Sequence, residues 1–306
     1  MSDTQDYISS ELKRLDLCTT IKSIKTLSGG CISQASCYST DKGDYFIKTN
    51  ANKKASQWFR AESLALERMN ETVPDLVPKP IYHATENKAF IVTEYIPMTN
   101  NRSSEAQKNL GHALATLHAS SSSQKEGKFG FDVVSWCGTT ELDNAWCSNW
   151  CEFYRSQRLL PLLEQVRGDH ADVDRLGNSL CSRLDHWLGQ DALGQVQPSL
   201  LHGDLWSGNW AVYASEKSKP IIFDPASFYG HYEAEHGIMK MFGGFSQDCF
   251  DAYDDALAEQ DHIPVSPSEG RQDRLMIYEA YHHLNHFAMF GGSYASGFIN
   301  LMEQLL

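Results

Sequence analysis

Leu201-His202-Gly203-Asp204-Leu205-Trp206-Ser207-Gly208-Asn209, followed by Ile221-Ile222-Phe223-Asp224-Pro225, is the stretch that decides how the chain is read. An aspartate precedes an asparagine by five residues, and a second aspartate follows that asparagine by fifteen, at the end of an apolar run. Phosphoryl transfer needs a carboxylate to orient the acceptor hydroxyl and hard oxygen ligands for Mg²⁺. Base, metal-ligating Asn, metal-ligating Asp is the order found in protein kinases. Asp204 is therefore the candidate catalytic base, and Asn209 and Asp224 are the candidate Mg²⁺ ligands. An Asp-Gly turn with an asparagine cap would explain His-Gly-Asp alone. The added Asn and Asp-Pro at these spacings disfavour that bland reading. His202 is expected to lock the loop by hydrogen bonds, and Trp206 is a candidate face for the acceptor, with plain packing as its alternative.

Upstream, Lys22–Leu27, Ala35–Thr40 and Asp44–Thr49 read as strands. Between the first two lies Ser28-Gly29-Gly30-Cys31-Ile32-Ser33, where Gly29, Gly30 and Cys31 could lie over nucleotide phosphates through backbone N–H groups. Cations near such a loop would lower the Cys31 thiol pKa. Lys48 closes an apolar strand and can reach the α- and β-phosphates if a helix carboxylate holds it. Glu62, in the helix expected over 56–69, is that carboxylate, with Glu67 as the alternative. Two more strands, 81–85 and 89–95, flank a turn at Glu86-Asn87-Lys88. Glu94, Tyr95 and Ile96 then stand at a strand end before Pro97, where a hinge could read an adenine through its backbone.

Beyond Pro97 the periodicity becomes helical, with helices expected at 103–119, 142–166, 170–188, 232–242, 246–260 and 271–289 and a hairpin at 210–223. The polar run Ser120–Lys128 reads as a loop. The expected fold is α+β and bilobal, protein-kinase-like. An N-terminal lobe over 1–96 carries an antiparallel sheet and one helix, and a larger, mainly helical C-terminal lobe over 97–306 carries an embedded hairpin. His282, His283 and His286 have no matching acid for a metal site, and Trp150, Phe153 and Tyr154, with Trp146, suit a lobe core.

The 306 residues carry a formal net charge of −13, which argues against a nucleic-acid partner needing clustered Lys and Arg. No apolar run reaches the roughly 20 residues that span a bilayer. The first residues, MSDTQDYISSELKRLD, lack the apolar core of a signal peptide, so no membrane and a cytoplasmic location are expected. Eight cysteines without a CxxC pair suggest neither zinc nor a disulfide framework. A protein kinase is disfavoured because Asp-Pro replaces Asp-Phe-Gly and no Ala-Pro-Glu follows.

HGDLWSGN, FDPASFYG, EAEHGIMKMFGGF, GGCIS, YFIK, FGF at 129–131 and YHHLNHFAMFG at 281–291 together resemble the fructosamine (ketosamine) kinase family over nearly the whole chain. The resemblance implies an aminoglycoside-kinase-like fold and ATP- and Mg²⁺-dependent phosphorylation of a ketoamine sugar at O3, leading to deglycation. The acceptor would be a small sugar-amine or a glycated protein, and the enzyme a monomer or homodimer. Carried over position by position, Asp204 is the base, Asn209 and Asp224 hold magnesium, and Lys48 and Glu62 clamp phosphate. The family usually reads GD-R-E-A-D where this chain has Gly230-His231-Tyr232-Glu233-Ala234-Glu235. Glu233 keeps its place and is a candidate acceptor contact, Glu235 replaces an aspartate, and segment 132–145 also departs. Aminoglycoside or choline-like acceptors on the same fold are the alternative. An ATP-holding protein without turnover is a second alternative, although it would lack the base, the metal Asp or the lysine, all present here.

Overall fold

The computed structural model describes residues 3–27, 33–84, 88–121, 126–260 and 265–306. Gly29, Gly30 and Cys31, the centre of the turn at Glu86-Asn87 and part of the 120–128 loop lie outside the described residues. Helix α1 (Asp3–Arg14) precedes strands β1 (Ile21–Leu27), β2 (Gln34–Thr40) and β3 (Asp44–Thr49). Helix α2 (Ala55–Thr72), β4 (Pro80–His83) and β5 (Phe90–Glu94) follow. The five strands form one antiparallel sheet in the order β1-β2-β3-β5-β4, with the expected helix inserted between its third and fourth strands.

Strand period two assigns the faces of this sheet. Ile47 and Val92 sit opposite one another and turn toward α1, where Ile8, Leu12, Tyr38 and Phe90 complete a small core. Lys48 and Ile91, one residue on, turn toward α2. The sheet thus sends one side of β3 into packing and the other toward a helix carrying Glu62.

Helix α2 buries Phe59, Leu66 and Met69 and shares one continuous core with the second lobe. That lobe begins with β6 (Met98–Thr99) and α3 (Ser104–Ser121), then the hairpin β7 (Ser135–Cys137) and β8 (Thr140–Leu142). Trp58 of α2 packs on Trp136 of β7 with ring centroids 6.1 Å apart. Lys54 pairs with Glu141 of β8, and Arg68 lies 3.7 Å from Asp132. The helix is therefore fastened to both lobes.

Next come α4 (Trp150–Tyr154), a π-helical turn at Arg155–Leu159, α5 (Leu160–Gln165), α6 (Ala171–Arg183) and two short turns, α7 (Asp185–Leu188) and α8 (Gln190–Leu193). β9 (Ser199–Leu201) pairs with β12 (Phe228–Gly230), while β10 (Trp210–Tyr213) pairs with β11 (Pro220–Ile222) and with β6. A 3₁₀ turn at Tyr232–Glu235 leads to α9 (His236–Phe242), and α10 (Gln247–Ala258), α11 (Arg271–Phe290) and α12 (Tyr294–Leu305) close the chain.

The helix expected over 142–166 starts only at Trp150. Asn149 caps it by accepting from Glu152 N at 2.8 Å, a geometry that stops the helix on its N-terminal side. The preceding segment is held by the buried Arg158, which donates to the Asp143 carbonyl at 2.7 Å and to Asn144 Oδ1 at 2.6 Å. Trp146 thus lies outside the helix and is 38 % exposed, whereas Trp150, Phe153 and Tyr154 are core. Pro161 has no N–H to donate to the preceding turn, and the ladder widens there to Leu160 N→Arg155 O.

Candidate functional site

Lys48 Nζ donates to Glu62 Oε1 at 2.7 Å and to Asp224 Oδ1 at 2.5 Å. Burial opposes its charge, but the two carboxylates outweigh burial and raise its pKa. Glu62 is pushed up by burial, with Lys48 pulling the other way and Asp224 adding to the rise. One ammonium shared by two acids leaves surplus negative charge at this point. Glu67, the alternative partner, instead accepts from Ser63 within its own helix.

Asp224 follows β11 with φ +62°, a left-handed conformation unusual for a residue bearing a Cβ. Strain of this kind persists where the surroundings over-determine it. Here they do. Phe223 N donates to the Asn209 carbonyl at 3.0 Å, and His202 Nε2 bonds the Phe223 carbonyl at 2.9 Å. Ala226 N returns to the His202 carbonyl at 2.8 Å. Gly203 has φ +80°, and a Cβ there would lie 2.4 Å from the Ala226 carbonyl oxygen, so the turn requires glycine.

Asp204 therefore stands close to Asp224, and its pKa is pushed up to about 8, first by burial and then by that neighbouring charge. Hydrogen bonding from Cys137 and Asn209 works against the rise. Asn209 Nδ2 donates to the Asp204 backbone carbonyl at 2.9 Å and reaches its carboxylate at 3.4 Å. Among the described residues no hydrogen bond engages the Asn209 side-chain oxygen. That oxygen and the Asp224 carboxylate are hard oxygen donors of the kind Mg²⁺ favours.

The remaining expected residues fall in three places. Glu94 Oε1 accepts from Lys79 N at 2.8 Å, and Tyr95 N donates to the Asp44 carbonyl at 3.3 Å. Ile96 is buried with Ala211 and Ile221 in an apolar patch at the end of β5. Trp206 is 38 % exposed and packs on Phe242 with centroids 5.7 Å apart. Its indole folds over Gly208, where a Cβ would collide with the ring at 2.2 Å.

Glu233 does not join the site. It is 1 % exposed, and Arg274 clamps both oxygens at 2.7 and 2.9 Å. A buried carboxylate with a bidentate arginine is neutralised in place, so the expectation of an acceptor contact there is corrected.

Two positioning residues escaped the sequence reading. Glu235 accepts from His202 N at 2.5 Å and Gly203 N at 3.0 Å, so one buried carboxylate holds the backbone of the turn that precedes Asp204. Burial opposes its charge, but bonding to His118 and the nearby His202 keep its pKa below the ordinary value. Its appearance in place of an aspartate was the available signal. Arg102 lies 4.5 Å over the Trp210 ring and donates to the carbonyls of Ser207 and Trp210, on either side of Asn209. A lone arginine between lobes carries no sequence pattern that would have revealed this.

Among the described residues no group of three or more His, Cys, Asp or Glu could hold a metal ion. No helix of the described residues is long and apolar enough to cross a membrane.

The family model described as fructosamine kinase matches residues 4–306. The chain is 38 % identical to a mouse protein named ketosamine-3-kinase, covering 96 % of this chain and 98 % of that one. It is 36 % identical to an Arabidopsis thaliana protein named protein-ribulosamine 3-kinase, chloroplastic, over 94 % and 84 % of the two chains. A crystal structure from Haemophilus somnus, proposed to be a fructosamine-3-kinase, superposes with TM-score 0.80 at 22 % identity, covering 98 % of this chain and 96 % of that one, and so matches in fold.

Proposed function

The chain belongs to the fructosamine kinase family, and on that premise we propose that it transfers the γ-phosphoryl group of ATP to the O3 hydroxyl of a ketoamine sugar. The enzyme is a phosphotransferase with an alcohol as acceptor. A phosphate on O3 makes the sugar–amine adduct unstable, so the product side of the reaction is deglycation of an amine. Free sugar-amines and glycated proteins both carry the reacting group.

The observation that carries the site reading is the convergence of Lys48, Glu62 and Asp224 across 2.5–2.7 Å beside the Asp204–Asn209 turn. In this reading residues 1–96 hold the nucleotide and residues 97–306 supply the base and the acceptor site. The Glu94–Ile96 backbone is the adenine contact, beside the apolar patch that includes Ile96, and Gly29, Gly30 and Cys31 remain the phosphate contacts expected from the sequence. Lys48, held by Glu62, orients the α- and β-phosphates. Asn209 and Asp224 would hold Mg²⁺, which supplies charge neutralisation on the transferred group when bound. Asp204 aligns the sugar hydroxyl and takes its proton late, as the oxygen–phosphorus bond forms. Positioning and electrostatics supply most of the rate gain.

The test is Mg-ATP consumption with fructosyl-lysine and ribulosyl-lysine beside an aminoglycoside and choline, with Asp204→Ala as the blank. Turnover confined to ketoamines supports the reading. Phosphorylation of only the other acceptors would remove the ketoamine assignment and leave the phosphotransferase site standing.

A further inference from the structure

Cys137 ends β7 and is buried where several elements close on its sulfur. The hairpin turn that follows is seated on α11, where Thr139 N donates to Met289 Sδ at 3.4 Å. One helical turn before Met289, Asn285 Nδ2 donates to Cys137 Sγ at 3.4 Å. The cysteine also packs with Leu142 and Ala226, and Ala226 N is the donor to the His202 carbonyl in the turn before Asp204. Strand β7 is fixed along its length as well. Ser135 Oγ donates to the Ser227 carbonyl at 3.3 Å and accepts from Asn144 Nδ2 at 2.9 Å. The hairpin therefore delivers the thiol with little freedom, and the thiol hydrogen-bonds the Asp204 carboxylate.

A carboxylate that aligns an acceptor hydroxyl has to be held at a fixed angle, because a misplacement on the order of 1 Å costs roughly 10²-fold in rate. Asn209 reaches Asp204 Oδ2 only at 3.4 Å, so that contact alone holds the carboxylate loosely. A thiol is a weak donor, but a carboxylate acceptor strengthens its bond. Donation from Asn285 into the sulfur polarises the S–H further. Burial and then the Asp204 charge raise the Cys137 pKa well above its ordinary value, so the sulfur keeps the proton it donates. Asn285 is fully buried, and its Oδ1 has no hydrogen-bond partner among the described residues. Leaving half of a buried amide unsatisfied costs stability, and the half that is satisfied serves the sulfur.

We propose that Asn285, Cys137 and Asp204 form a directed hydrogen-bond chain in which the Cys137 thiol is a positioning residue, fixing the carboxylate of the base. This rests on the reading of Asp204 as the base. The first readout is the infrared S–H stretch of Cys137, isolated by comparing each background with and without Cys137→Ser. In Asp204→Ala the band is expected to move to higher frequency, because the thiol loses its carboxylate acceptor. A band unmoved in Asp204→Ala overturns the chain. So does one that moves only in Asn285→Leu, which would give the thiol proton to Asn285.

The second readout is kinetic, with Mg-ATP and fructosyl-lysine. Serine and alanine nearly match in volume, so a cysteine that only fills space would lose equally from either replacement. Cys137→Ala is expected to lower kcat by about tenfold, the scale of one lost hydrogen bond to a charged group, with KM for ATP within about twofold. Cys137→Ser restores a donor and is expected to recover kcat to within about threefold of the parent. Equal losses in the two variants overturn the positioning role. Parent-level turnover in Asp204→Ala would instead bring down the base reading, a result distinct from equal losses at Cys137. No turnover of fructosyl-lysine by the parent chain would count against the ketoamine reading, while the infrared band still decides the chain.

Discussion

His202 bonds the carbonyl oxygen of Phe223 through Nε2 at 2.9 Å, while its Nδ1 accepts from Asp204 N at 3.3 Å. One neutral imidazole thus ties the segment bearing the proposed base to the segment bearing the proposed metal ligand. Burial lowers its pKa and keeps it in that neutral form. Replacing His202 by Ala is expected to lower kcat by about 10²-fold, the scale of a 1 Å misplacement, with a much smaller change in KM for ATP. Steady-state kinetics on the variant checks this. A comparable rise in KM with kcat intact would show that His202 serves nucleotide binding instead.

Asp204→Ala is expected to lose turnover by about 10³-fold or more while still binding nucleotide. Parallel single-turnover rates and nucleotide titration separate the two quantities. A variant that turns over at the parent rate would remove Asp204 as the base.

Among the described residues Glu235 is the carboxylate that accepts from both the His202 and Gly203 amides. In Glu235→Ala two buried donors lose their acceptor, at about 1–3 kcal/mol each. The expected result is a lower thermal midpoint together with lower kcat. Glu235→Gln retains one acceptor oxygen and is expected to fall between parent and Ala on both readings.

Buried histidines set an acid limit on stability. Burial lowers His231 to about 4 and His236 and His282 to about 3, well under the unfolded value. For each, the unfolded chain takes a proton that the folded chain refuses. Their support is whole above about pH 6.5 and shrinks as pH falls toward 4, by about 1.4 kcal/mol per unit per histidine. Denaturant midpoints at pH 7.5, 6 and 5 are expected to fall in that order, and His236→Gln to flatten the trend. A midpoint that stays level from 7.5 to 5 would show that these groups protonate without unfolding.

Trp136→Ala removes the ring that packs on Trp58 and loosens α2 from the β7–β8 hairpin. Because α2 carries Glu62, the expected effect is a raised KM for ATP and reduced kcat, beyond the stability loss of about 3 kcal/mol typical of a truncated aromatic. Equal catalytic constants in a folded variant would show that the hairpin contact is packing alone.

What was legible in the sequence was local. Asp204, Asn209 and Asp224 sit in one short stretch, and Lys48 closes an apolar strand, so these positions could be singled out from spacing and order along the chain. The β7–β8 hairpin was not legible. Its strands are three residues each, and what secures it lies far along the chain: Trp58, Lys54, and Met289, whose sulfur accepts from Thr139 N at 3.4 Å. Apolar residues over 142–166 fit a helical period, but Arg158 and Asn149 hold the first third of that span out of the helix through specific hydrogen bonds. Glu233 shows the same limit. A carboxylate near the site in sequence became a core anion because Arg274, forty-one positions away, reaches it.

Because α2 shares its core with the second lobe and is pinned at Trp136, Glu141 and Asp132, the Lys48–Glu62 pair is assembled in the resting molecule. Kinases that are turned on and off commonly do so by swinging the equivalent helix away from its lysine. Here that motion would require tearing Phe59, Leu66 and Met69 out of a buried interface. The helix that carries Glu62 thus cannot swing as a unit without breaking that interface.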